Sequence, residues 1–307
     1  MDVVQLKTLI HVAELGSLSK AAERLHIAQP ALSRQIRLLE KELGVYLFDR
    51  HGRGMVITEA GNSVLEHASR IMDELDAIRS TVECGASNLK GTVAIGAPPT
   101  IAQVVTVPLA RRLREEQPNL SIRFSSAYSG YLLDWLQKGE IDLAVSYDLQ
   151  PRHTLKTLPV MMESLVLVGQ PAANLKMEIP VKFSSLVAER LVLPSNKHSL
   201  RNIVNNCGAE LGIQIDADIE ADAFGALIDL VRNGFGLTIL PLASIYDLLQ
   251  QGILCAAPLV DPVPMRKLVL VLPADRHVSP ATRYMGDCFV ELAAKLVERG
   301  VWGGHML

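Results

Sequence analysis

At 307 residues, with 49% hydrophobic and 21% charged side chains, the chain has an ordinary soluble globular balance and the length for two or three domains. A net charge of −3 excludes a protein that coats nucleic acid, and no apolar run approaches the roughly 20 residues a membrane span needs. The four cysteines, Cys84, Cys207, Cys255 and Cys288, are too scattered for a C-x-x-C pair or a metal-ligand spacing, so neither cofactor nor metal is expected. The N-terminus carries no signal-peptide pattern, which makes a reducing cytoplasm the expected compartment.

In chain order, Leu6, Leu9, Ile10 and Ala13 mark an amphipathic helix ending near Gly16. Leu18, Ala21, Ala22 and Leu25 mark a second, with Ser17 as its N-cap. A break at His26–Ala28 leads to a third helix, with Pro30 in its first turn and Leu32, Ile36, Leu39 and Leu43 inward. Gln29, Ser33, Arg34, Arg37 and Lys41 are left outward. The second and third helices read as a helix-turn-helix, whose small Ala21 and Ala22 allow a steep crossing. Carboxamide and guanidinium groups suit base edges in a major groove. A solvated amphipathic helix in a bundle is the plainer reading of the same pattern. From Lys20 to Arg53 there are 7 Lys and Arg against 4 acids, a local positive footprint inside an acidic chain.

Val45–Phe48 and Met55–Thr58 are β-prone runs around a tip containing Arg50 and Arg53. They predict either a DNA-contacting wing or a plain surface hairpin. Thr58–Gly61 then opens a long helix. Val64, Ala68, Ile71, Leu75, Ile78 and Val82 repeat at alternating spacings of 4 and 3, a heptad seam. A second copy of the chain is the expected partner for that seam, and docking on its own domain is the alternative.

Cys84–Lys90 is a polar hinge. Beyond it, strands and helices alternate: Thr92–Ala97, a helix to about Gln117, Ser121–Ala127, a helix from Ser129 to Lys138, then Ile141–Tyr147. This repeat predicts a parallel sheet covered on both faces. A second unit is expected from about Pro159, with strands at Leu165–Val168, Leu191–Leu193, Asp218–Glu220, Leu237–Leu240 and Ile253–Ala256. A proline-rich crossing, a strand at Leu268–Leu272 and a helix at Ala281–Arg299 return the chain to the first unit, leaving a loose tail from Gly300. The expectation is an α+β multi-domain protein. Its parts are a winged helix-turn-helix over 1–58, a linker helix and hinge over 59–90, and a two-lobed α/β domain over 91–307. Lobe I covers about 91–160 and 267–300, and lobe II about 161–266.

The run from Leu9 to Arg50, with its A-E-x-G-S-L-S-x-A-A-E-x-L and A-Q-P-A-L-S-R-Q-I-R-x-L-E-x-E-L-G segments, resembles the LysR-type transcriptional regulators. Thr58–Gly61 and VRNGFGLTILP at Val231–Pro241 extend the resemblance over essentially the whole chain. Around Pro98–Thr100 and Leu193–Ser195 the likeness is to nitrogen-assimilation-control regulators. The resemblance implies a periplasmic-binding-protein-like effector domain and promoter DNA bound by homodimers or homotetramers. It further implies a small-molecule effector in the interlobe cleft and, for an activator, contact with RNA polymerase. It places Gln29, Pro30, Ser33 and Arg34 at DNA-contacting positions, and Arg50 and Arg53 on the wing.

Ligands of two-lobed α/β domains bind beyond the carboxyl ends of strands, where helix N-termini favour anions. Thr100, Ser129 and Ser195 follow strands in this way, and Tyr147 and Phe224 supply rings, a set suited to a small organic acid. Simple capping for the hydroxyls and core packing for the rings explain the same residues. No G-x-S-x-G elbow, P-loop or H-E-x-x-H motif is present, so no enzyme is expected. An effector-independent or redox-sensing regulator is the alternative within the same class.

Overall fold

The computed structural model describes every residue except 52–53, 84–88, 148–152 and 197, and only the backbone of 50, 51, 73, 76, 77 and 79–83. Asp2 caps α1 (Val3–Leu15) through a capping box with Gln5. The Ser17 hydroxyl accepts from the Lys20 amide to start α2 (Leu18–Leu25), which ends where His26 turns left-handed at φ 53°. α3 (Gln29–Leu43) follows after three residues. Leu9, Ile10, Ala21, Leu32, Ile36 and Leu39 close one core among the three helices. Leu43, expected inward, is 37% exposed. Glu40 is buried in its place, and its Oε1 accepts from the amides of Leu47 at 3.0 Å and Phe48 at 3.4 Å. A carboxylate at that depth is stable because it satisfies two amides that the turn leaves open.

The wing is the hairpin of β1 (Phe48–His51) and β2 (Gly54–Ile57), with Arg50 opposite Met55. It starts three residues later than predicted, since Val45 and Tyr46 stay outside the sheet at 42% and 79% exposure. Arg50 consequently lies within a strand and not at the tip. Its side chain and all of Arg53 fall outside the described residues. Gly54, at φ 136°, packs so closely on the end of α1 that a Cβ would lie 2.6 Å from the Gly16 carbonyl.

Thr58 begins α4 (Glu59–Glu83), its Oγ1 accepting from the Gly61 amide at 2.9 Å. The predicted seam divides. Ala68 is fully buried in the core of its own domain beside Leu65 and Met72, and Val64 and Leu75 pack against that core. Ala68 is therefore not available to a second chain, a correction to the expected seam. Ile71 and Ile78 stay 38% and 57% exposed, and the Val82 side chain lies outside the described residues.

Lobe I carries β3 (Gly91–Ala97), α5 (Pro99–Glu116), β4 (Leu120–Ser126), α6 (Ser129–Lys138) and β5 (Leu143–Tyr147). β4 and β5 flank β3 in parallel, as the βαβ pattern requires. The second predicted unit is different. In place of a short strand at Leu165, β6 (Leu155–Gly169) runs for 15 residues through both lobes. Lobe II adds β7 (Val181–Lys182), β8 (Val192–Leu193), α7 (Ser199–Glu210), β9 (Ile219–Glu220), α8 (Phe224–Arg232), β10 (Thr238–Pro241), α9 (Leu242–Gln250) and β11 (Cys255–Val260). The chain returns through β12 (Met265–Pro273) and α10 (Pro280–Glu298).

The first half of β6 pairs with β12, and its second half pairs with β10 and β11, all antiparallel. The all-parallel expectation holds for β3–β5 and fails at these return strands. Each lobe closes its own apolar core around this spine. The tail is not loose. β13 (Gly304–Met306) pairs with β6, and Trp302 is 1% exposed.

Candidate functional site

Two surfaces collect the functional candidates. On α3, Leu32, Ile36 and Leu39 are fully buried, while Gln29, Pro30, Arg34 and Arg37 are exposed and Ser33 is half-buried. The Arg37 Nε donates to the Ser33 carbonyl at 3.3 Å. The 3.6-residue period thus sorts the helix into a packed face and an open face of donors.

The second surface lies between the lobes. A cavity of about 140 Å³ is lined by Pro98, Thr100, Ser129, Tyr147, His198, Phe224 and Arg266, among others. That is close to the ~150 Å³ of an apolar cavity that accepts benzene. Thr100 sits at the start of α5, Ser129 at the start of α6, Tyr147 at the end of β5 and Phe224 at the start of α8, so the topology brings four of the five predicted residues together. Ser195 does not join them, a correction. Its amide and hydroxyl donate to Asp222 at 2.9 Å and 3.1 Å, which turns the group toward the loop before α8.

The floor of the cavity is charged. Arg266 Nε donates to Glu163 Oε2 at 2.5 Å, and its Nη2 donates to the Tyr147 hydroxyl at 2.7 Å. The guanidinium also lies 3.5 Å from the centroid of the Tyr147 ring. Trp302 Nε1 donates to the other Glu163 oxygen at 2.6 Å. Arg266 and Glu163 are 1% and 0% exposed as side chains. Burial pushes the Tyr147 phenol well above its usual range, so it stays protonated. Burial, helped by Arg266, pushes the His198 imidazole down, so it adds little charge at neutral pH. The His198 Nδ1 accepts from the Leu200 amide at 3.1 Å, which leaves Nε2 as the ring's donor. Across the mouth, the Tyr128 hydroxyl of lobe I donates to the Asp222 carbonyl of lobe II at 2.8 Å.

Comparison with known proteins agrees with this geometry. Residues 3–62 match the bacterial regulatory helix-turn-helix protein of the lysR family, and residues 86–294 match the LysR substrate binding domain. The chain belongs to the LysR family of transcriptional regulators. It is 29% identical to the transcriptional regulator BbuR of Bordetella bronchiseptica, over 99% of this chain and 94% of that protein. It is also 29% identical to the nitrogen assimilation regulatory protein nac of Klebsiella aerogenes, over 96% of each. Among solved structures, full-length CbnR complexed with its target DNA superposes with a TM-score of 0.56 at 24% identity, covering 95% of this chain and 99% of that one. A peroxide-bound mutant of Corynebacterium glutamicum OxyR gives 0.60 at 24% identity, covering 98% of this chain and 94% of that one.

This LysR-type regulator therefore carries a DNA-binding and an effector-binding domain. Arg266, Glu163 and Tyr128 join the site without a motif that marks them in the sequence. The first two leave a trace: Glu163 is a lone charge inside the apolar run VMMESLVLV, and Arg266 stands with Lys267 at the head of MRKLVLVLP, where strand alternation turns one of the two inward. Such a charge is stable in a strand core only when paired. Tyr128 leaves none, because its partner is a backbone carbonyl 94 residues away. Among the described residues no group of His, Cys, Asp and Glu could hold a metal, and no helix is long and apolar enough to cross a membrane.

Proposed function

We propose that the chain reads promoter DNA with Gln29, Pro30, Ser33, Arg34 and Arg37 of α3, with Arg50 and Arg53 of the wing beside them. Dimers, or tetramers of paired dimers, form through the open edge of α4 at Ile71 and Ile78. A small organic anion in the interlobe cavity sets how two reading heads are presented to the duplex, and an activating form contacts RNA polymerase. A cytoplasmic location follows from the need to reach promoters.

The observation that carries this reading is the meeting of Thr100, Ser129, Tyr147 and Phe224 with a buried arginine in one benzene-sized cavity. The N-termini of α6 and α7 offer donors to a carboxylate, and Pro98, Phe224 and Leu227 offer an apolar wall. Redox sensing has support from a hydrogen peroxide-inducible genes activator of Dickeya chrysanthemi, 29% identical over 88% of this chain. Against it, none of the described cysteines lines the cavity. Cys207 packs in the lobe II core, Cys288 in the lobe I core, and the Cys255 thiol donates to the Gln170 carbonyl.

A thermal-shift screen of small carboxylates tests the effector assignment. Thr100→Val is expected to abolish the stabilisation given by a hit while promoter binding without ligand is retained. Stabilisation that survives the substitution contradicts the assignment.

A further inference from the structure

The reading head also touches lobe I directly. Near the C-terminal ends of α1 and α2, a polar cluster joins the two domains. Glu14 Oε1 accepts from Gln137 Nε2 at 2.5 Å and from Arg24 Nη1 at 3.2 Å. Glu14 Oε2 accepts from the Thr154 hydroxyl. Arg24 Nη2 donates to Gln137 Oε1 at 3.0 Å. Beside this cluster, His11 Nε2 lies 3.0 Å from Asp275 Oδ2, with the two side chains 2% and 8% exposed. Glu14 and Arg24 are only 11% and 17% exposed. Charges lose much of their hydration at that depth, so they persist only where partners replace the water. Burial raises the Asp275 carboxyl, but His11, with Arg276 and Lys7, more than offsets this and holds it below the usual carboxylate range.

α6 links this cluster to the cavity. Ser129 at its start lines the cavity, and Gln137 at its end holds Glu14 and Arg24. Its ten residues span about 15 Å. Arg276 Nη2 donates to the Leu136 carbonyl at 2.6 Å, which clamps the end of α6 to the loop carrying Asp275. Tyr128, just before α6, is the residue that bonds lobe II across the mouth.

We propose that this end of lobe I is a docking surface for the chain's own reading head, and that α6 couples the interlobe cleft to it. The open face of α3 stays exposed when docked, so docking orients the head and does not cover it. A change in lobe closure pulls on the start of α6 and is delivered at its far end to Glu14 and Arg24 as a rotation of the head. The coupling to an effector rests on the function proposed above. The docking surface does not.

Amide hydrogen exchange on the full-length chain, without ligand, tests both parts. Gln137→Glu sets a second carboxylate against Glu14. Several-fold loss of protection is expected at residues 11–15 and 153–155, with α8 in lobe II unchanged. The double variant Glu14→Gln/Gln137→Glu restores a carboxylate–carboxamide pair beside Arg24 and is expected to restore protection. Unchanged exchange in Gln137→Glu, or a loss that extends to α8, overturns the docking surface. Protection that falls on dilution would assign the surface to a second copy and likewise overturn docking within the chain. Tyr128→Phe is expected to loosen the same segments from the cleft side, and unchanged exchange there overturns the coupling through α6. Because every arm is ligand-free, a failed effector screen leaves these results standing on their own.

Discussion

The reading head and the two-lobed domain place their functional groups in opposite ways. On α3 Leu32, Ile36 and Leu39 are buried and the donors Gln29, Arg34 and Arg37 face out, so each donor can be changed with little effect on folding. In the cleft the groups face inward, and the strongest of them, Arg266 and Glu163, are among the most deeply buried charges of the chain. Exposed recognition groups are separable from stability. Buried ones are part of the core and cannot be removed without disturbing it.

That contrast can be broken by measurement, starting where the effect is largest. Glu163→Ala strands Arg266 without its counter-charge and leaves Trp302 Nε1 without an acceptor. A loss of about 3–5 kcal/mol in urea unfolding is expected, and the double variant Glu163→Ala/Arg266→Met should recover much of it. A single variant as stable as the parent would show that the buried pair is dispensable. Next, Ile71→Asp with Ile78→Asp places charge on the open edge of α4. Loss of the dimer by mass measurement is expected, with promoter affinity falling by roughly 10²-fold or more as bivalency is lost. Smallest in energy is Arg34→Ala, expected to cost about 1–3 kcal/mol on the operator and to leave the melting temperature unmoved.

Legibility in the sequence follows the same divide. The helix-turn-helix reads directly because one period decides both packing and exposure over Leu18–Leu43. Its errors are local: Leu43 reads as inward because the period cannot register that Glu40 is needed to bind two amides of the next turn. β3 and β5 are legible because parallel, twice-covered strands are apolar runs, and the edge strand β4 is legible by its alternation. β6 is not, since Pro159, Glu163 and Ser164 interrupt its apolar pattern and its pairing partners lie about a hundred residues away. The tail at Gly300–Leu307 reads as unconstrained for the same reason: Trp302 finds its acceptor 139 residues upstream. Within the cleft, residues at strand ends can be placed by topology alone, whereas Ser195 cannot, because hydrogen bonds to Asp222, 27 residues downstream, decide its direction.

We propose that the open face of α3 reads base sequence while the packed side of the molecule only presents it. Equilibrium binding of the parent and Arg34→Ala to a promoter fragment and to a scrambled duplex, across a salt series, tests it most directly. The parent should prefer the promoter by a factor on the order of 10³ or more. Arg34→Ala should lose about 10- to 100-fold on the promoter and much less on the scrambled duplex, with little change in salt slope. Equal losses on the two duplexes, with a shallower slope, would make Arg34 a phosphate contact and contradict the claim.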